Sequence, residues 1–178
     1  MMPMSMEYVP LTKPETTPDE RTWATLAHIS TLITLLFALP SGGLGGVLFV
    51  FIPFMIYLAY KDKSRYIAYQ AAQAFAIQVI ATAGYLLFIL VGILVVTLAW
   101  AITLVLIAIL VGVILIPITA LITLIVFTAM LGVPLILGGF SIVAAVQTTH
   151  GVDYRYPYLG QWVADWLERQ PPAAGSTL

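Results

Sequence analysis

The chain has 178 residues, of which 61% are hydrophobic and 8% charged; a soluble domain carries about 25% charged residues, so a water-facing surface is excluded. A mean hydropathy of +1.03 places the chain among integral membrane proteins. A net charge of −1 without a large basic patch excludes nucleic acid as a partner, and the lack of cysteine excludes disulfides, thiolate nucleophiles and cysteine metal sites.

Residues 1–18 hold four prolines and mixed charges with no apolar run. They read as a flexible leader, not a secretory signal. Residues 22–60 then carry no formal charge, and Pro40, Ser41, Gly42, Gly43, Leu44, Gly45 and Gly46 interrupt them with turn chemistry. The pattern predicts two helices, about 22–39 and 45–60, in a tight hairpin near the lower length limit for membrane spans. Asp19 and Glu20 precede the first helix, where acidic groups favour an N-terminus.

Lys61, Asp62, Lys63 and Arg65 close that hairpin, and no charge follows until Asp153. A short Lys/Arg-rich loop stays cytoplasmic, because a basic residue at mid-bilayer costs roughly 2.5–3.5 kcal/mol. Two crossings before it put the N-terminus on the same side. In the next segment Tyr66 and Tyr69 suit the membrane interface. Gln70, Gln73 and Gln78 fall within about 140° of helix circumference. This segment is expected to run along the interface or to enter the bilayer with its Gln face against protein. From Gln78 to Trp100 is about 33 Å of helix, one crossing, which puts Trp100 at the far interface. Residues 101–150 fit one crossing with residues to spare, or two crossings that would leave the C-terminus outside. After Gly151, Trp162, Val163, Trp166 and Leu167 share one helical face, while Asp165, Glu168 and Arg169 lie mostly opposite. That predicts a short amphipathic helix on a surface, followed by a disordered tail at 171–178.

Leu26, Ala27 and His28 in the first span, the Lys61–Asp62–Lys63–Ser64 loop, the Gln70–Ala71–Ala72–Gln73–Ala74–Phe75 stretch and the terminal His150–Gly151–Val152–Asp153–Tyr154–Arg155–Tyr156–Pro157 signature occur in this order. Together they resemble a prokaryotic family of small membrane proteins of unknown function. That family is related to the twenty-kilodalton membrane subunit of the chloroplast inner-envelope import translocon. The resemblance implies four transmembrane helices with both termini cytoplasmic, and it favours a single crossing for residues 101–150. The aliphatic region between Tyr85 and Gly139 is longer than in a typical relative.

The sequence expectation is thus an all-α integral membrane bundle of four transmembrane helices, five being the alternative, with a short C-terminal amphipathic interfacial helix. Residues 19–150 form the transmembrane domain and 151–170 the amphipathic segment. The location is the inner (plasma) membrane. An ionisable group inside a span is a functional hypothesis, so His28 with Gln70, Gln73 and Gln78 is a candidate polar seam or pathway. The competing reading is interhelical hydrogen bonding. Lys61, Lys63, Arg65 and Arg155 set topology and meet anionic headgroups; Trp100, Trp162 and Trp166 are interfacial anchors. No catalytic, metal or cofactor constellation is visible. The function expected is a non-enzymatic component of a transport or protein-translocation assembly. The alternative is an independent small transporter or channel with a neutral polar path. Lipid, and other membrane subunits, are the partners expected.

Overall fold

The computed structural model describes residues 16–169; the leader and tail expected at the two ends fall largely outside this range. Helix α1 spans Pro18–Ala38, and a 3-10 turn at Leu39–Ser41 follows it. A second 3-10 helix, Leu44–Val50, runs directly into α2, Phe51–Tyr60. Then come α3 at Arg65–Ile107, α4 at Val111–Thr149 and α5 at Leu159–Glu168. No strand occurs among the described residues.

The N-terminal hairpin follows its local chemistry. Helix α1 begins four residues earlier than expected, because Thr17 and Glu20 form a reciprocal capping box that satisfies orphan amides at the helix start. Gly42 and Gly43 both take positive φ and turn the chain. The return leg has only 17 residues, Leu44–Tyr60. Its 3-10 half rises about 2.0 Å per residue, so the leg reaches about 29 Å, close to the height of α1.

Helices α3 and α4 are far longer, at 43 and 39 residues, or about 64 and 58 Å. Three helices (α1 with its 3-10 extension, α3 and α4) are long and apolar enough to cross a membrane. Two regions result. In the body, α1, the Leu44–Tyr60 leg, and the ends of α3 and α4 nearest the 61–64 loop pack together, with α5 against α3. Its far edge is marked by Gly43, which abuts Tyr85 and Leu86, and by a cavity that Ala38, Tyr85, Pro134 and Leu137 share. Past that edge, residues 86–107 and 111–130 continue as a hairpin whose two helices pack mainly on each other. Its buried residues are Gly92 and Thr103 on α3 and Gly112 and Thr119 on α4.

More than twenty large apolar side chains between Leu87 and Leu131 are exposed. Moving that surface from water into an apolar medium gains on the order of 20 kcal/mol or more. The distal hairpin therefore belongs in an apolar medium.

Two expectations are refined. The 101–150 tract, read as one or two crossings, is the tip of α3, a turn at 108–110 and a single long α4. Tyr66 and Tyr69, expected at the interface, lie in the first turns of α3 beside the 61–64 loop, but they face protein and are 3% and 0% exposed, because α4 and the C-terminal segment cover them.

Candidate functional site

The polar side chains of the body converge on the C-terminal segment, residues 150–160. Helix α4 ends there: His150 is its C-cap and Gly151 takes φ +74°. The chain then crosses the start of α3 as an extended strap before α5 begins.

Gln73 holds the strap by both ends of its amide. Its Nε2 donates to the Tyr154 carbonyl at 3.0 Å, and its Oε1 accepts from the Tyr156 amide at 3.1 Å. Gln70 donates from Nε2 to Asp153 Oδ1 at 3.0 Å and to the Tyr154 carbonyl at 3.2 Å. Its Oε1 is therefore the acceptor facing His28 Nε2 at 3.1 Å, which assigns the His28 proton to Nε2. Nδ1 is then left to accept from the Tyr156 hydroxyl at 3.4 Å. His28, Gln70 and Gln73 are all fully buried, so each of these bonds satisfies a group that water does not reach.

Two tyrosines of α3 complete the strap. Tyr66 donates to the Val152 carbonyl at 3.2 Å, and Tyr69 donates to the Gly160 carbonyl at 3.1 Å. Gly160 is required by close approach: a Cβ there would sit 2.8 Å from Gln73 Oε1 and 3.0 Å from Arg155 Cβ. Burial pushes the Tyr156 phenol up to about 12, so it is a neutral hydrogen-bonding group across the physiological range. Its stabilising contribution is complete below its unfolded pKa of about 10 and is lost as pH rises through the folded value.

A second polar knot lies deeper between α1 and α3. Gln78 donates to Ser30 Oγ and Thr31 Oγ1, both at 3.0 Å, and accepts from Thr34 Oγ1 at 2.9 Å. Near the loop end, Ser64 caps α3 through the Ile67 amide at 3.3 Å and donates to Glu20 Oε1 at 2.6 Å. Thr25 and Thr148 meet at 3.1 Å and join α1 to α4.

The candidate residues thus divide. The structure brings His28, Gln70 and Gln73 into one network and places Gln78 in a separate knot on the same α1–α3 seam. Of the two dispositions open for this segment, α3 enters the body with its Gln side against protein. Lys61, Lys63 and Arg65 are exposed, with Lys63 Nζ 5.5 Å from the Tyr60 ring centroid. Arg155 pairs with Asp153 at 3.6 Å and lies 5.8 Å from the Tyr69 ring centroid. Trp162 and Trp166 are 58% and 37% exposed. They flank an apolar groove of about 410 Å³ between α2, α3 and α5. Trp100 does not sit at the edge of the body. Helix α3 enters at Arg65, so Tyr85 marks that edge, and Trp100 lies about 22 Å farther along, donating to Thr123 Oγ1 at 3.0 Å.

Sequence reasoning missed Asp153, Tyr66, Tyr69 and Thr148 as parts of the network. For the two tyrosines one signal was present: Ala68, Ala71, Ala72 and Ala74 alternate with them along α3 as small side chains, as expected of a helix packed on several sides.

Among the described residues no group of three or more His, Cys, Asp or Glu is arranged to hold a metal ion. Residues 19–163 match the profile of the magnetosome magnetite crystal formation protein family, MamF/MmsF. That bears out the coarse resemblance, to a prokaryotic family of small membrane proteins; the match carries no link to the chloroplast translocon subunit. Neither a curated protein nor a solved structure matches the chain.

Proposed function

The chain belongs to the magnetosome magnetite crystal formation protein family, and from that membership we propose that it is a non-enzymatic, multi-pass component of the membrane in which magnetite forms. In this reading its contribution to crystal formation is architectural. It presents a fixed bundle, and assembles with other membrane subunits through it. The observation that carries the proposal is how the buried polar groups are used. His28, Gln70 and Gln73 spend their hydrogen bonds on each other and on the 153–156 strap, and Gln78 spends its own on α1. Such groups act as interhelical glue and leave little capacity for a passing solute.

The orientation proposed puts both chain ends and the 61–65 loop on the cytoplasmic side, by the positive-inside rule. Lys61, Lys63 and Arg65 then face the leaflet where anionic headgroups attract basic residues, and Arg155 lies at the same end of the body.

One observation favours a second reading, a small transporter with a neutral path. A cavity of about 40 Å³ lies beside Thr31, Thr34 and Gln78, which is room for one or two waters.

Complementation separates the two readings. In a strain lacking the gene, crystal size and number are scored by electron microscopy alongside the abundance of each variant. The architectural reading expects Gln73→Leu and His28→Leu to impair crystals in step with lost folded protein, and purified protein to add no solute leak to liposomes. A variant present at wild-type level that abolishes crystals, together with a leak lost in Gln78→Leu, would establish the transporter reading instead. Unchanged crystals in the deletion strain would remove the role in crystal formation altogether.

A further inference from the structure

The distal hairpin poses a problem of length. From Arg65 to Tyr85, α3 rises about 30 Å, which already equals the hydrocarbon thickness of a bilayer. Residues 86–107 add about 33 Å more, and residues 111–130 come back about 30 Å. Residues 66–152 contain no formal charge. A straight hairpin would therefore project a wholly apolar helix pair through the far headgroups into water. It does not fit a second, apposed bilayer either. Two stacked membranes interpose two headgroup layers, and after Tyr85 the sequence continues at once as Leu86–Leu87–Phe88–Ile89.

At the edge of the body the structure holds the parts of a hinge. Pro134 has no amide hydrogen, so the carbonyl four residues earlier, that of Met130, lacks its helical partner. Tyr85, on the facing helix, donates its hydroxyl to that carbonyl at 2.9 Å. The broken rung of α4 is thus capped from α3 at the level where the body ends. Gly84 and Gly132 flank the same level, and a Cβ at either would meet nothing within 4 Å. Packing does not demand glycine there; backbone freedom is what glycine supplies. On the inner side of this level lies an open cavity of about 420 Å³. Leu39 and Gly42 of the body line one wall, and Ile89, Phe127 and Met130 of the hairpin line the other. The cavity leaves room to close the angle between body and hairpin.

We propose that residues 86–130 form a hinged hairpin. In a membrane it folds back about Gly84–Tyr85 and Met130–Pro134 and lies in the same bilayer as the body. The chain then makes six passes: the four helical legs of the body and two more from the hairpin. Both ends of the chain remain on one side, and the 108–110 turn returns toward the side of the 61–64 loop. The 30–33 Å legs of the hairpin match one hydrocarbon thickness, and every apolar side chain on it gains an apolar surround.

The chain has no cysteine, so paired spin labels can be introduced without background. With Ser64→Cys and Ile109→Cys in lipid nanodiscs, a straight hairpin places the labels about 68 Å apart, and a right-angle bend about 48 Å. The folded-back hairpin brings them to roughly 30 Å or less. A distribution centred at 45 Å or beyond overturns the proposal. So does reaction of Ile109→Cys, in sealed liposomes, with an impermeant maleimide applied only to the face opposite Lys63→Cys. The hinge is tested in the same labelled protein. Pro134→Ala combined with Gly84→Ala and Gly132→Ala restores the helical ladder and is expected to move the distribution toward the long distance. No movement would overturn the assignment of the hinge to these residues.

Discussion

The two halves of the molecule are built from the same apolar residues but are held together by different means. The body is cross-linked: α1, α3, α4 and the 153–160 strap exchange polar bonds from Ser64 to Gln78, and those beyond the loop end are buried. In the distal hairpin the interhelical polar contacts are Thr103 to Thr119 and Trp100 to Thr123, and the rest is close apposition at Gly92, where a Cβ would meet Met130 and Val126. A polar bond inside a membrane specifies one partner, whereas an aliphatic face accepts lipid or protein alike. The body is therefore expected to have one arrangement, and the hairpin to be the part that moves.

The comparison is broken most directly at Gln73. Gln73→Leu leaves the Tyr156 amide and the Tyr154 carbonyl without the amide that now serves both, although Gln70 still reaches the carbonyl. An unsatisfied buried group costs about 1–3 kcal/mol, and a loss of about that size is expected. Thermal unfolding in detergent reads it as a lowered midpoint, with new protease sensitivity between Tyr154 and Tyr158. Unchanged unfolding would mean that the strap does not secure the body. Gly160→Ala attacks the same contact from the other side, since its Cβ would press on Gln73 Oε1. Overpacking of this kind costs about 1–3 kcal/mol, and Gly160→Ser should be no better tolerated.

Much of the body was legible in the chain itself. Pro40 with Gly42 and Gly43 marked the first turn, the 61–65 charges marked the second, and Gly151 marked the end of α4, since each rests on local chemistry. The His28–Gln70–Gln73 seam was legible as a set of polar residues out of place in an apolar segment. Its partners were not, because 80 or more residues separate Gln73 from Tyr154 and Tyr156, and nothing in the spacing assigns one polar strap to one helix face. The partners of Tyr66 and Tyr69 were hidden for a physical reason: a ring with a polar tip is as well served by a buried carbonyl as by a headgroup. The division at Tyr85 was hidden too. Residues 79–133 are aliphatic almost throughout, and periodicity carries no signal where both faces of a helix are apolar.

The distal turn offers a change of opposite sign. Leu110 takes φ +64°, a conformation that costs a non-glycine residue about 1–2 kcal/mol, whereas the turn at Gly42 and Gly43 meets the same demand with glycine. Leu110→Gly is accordingly expected to stabilise the hairpin by about 1 kcal/mol, seen as slower amide exchange in residues 104–116. Exchange that is unchanged or faster would mean that the turn does not hold this geometry in the membrane.

The smallest effect is expected at Thr103. Its hydroxyl donates to the Ala99 carbonyl at 2.8 Å and meets Thr119 Oγ1 at 2.7 Å. In Thr103→Val the shape is kept and one polar partner is lost. The Ala99 carbonyl keeps its helical amide, and Thr119 can turn its hydroxyl to a carbonyl of its own preceding turn. Nothing is left stranded, in contrast to the strap after Gln73→Leu. Interhelical bonds of this kind in membranes average about 0.6 kcal/mol, and that is the loss expected from a matched unfolding measurement. A cost as large as that of Gln73→Leu would erase the distinction between a cross-linked body and a loosely held hairpin. A cost near zero would sharpen it, leaving aliphatic packing and the lipid around it to hold residues 86–130 together.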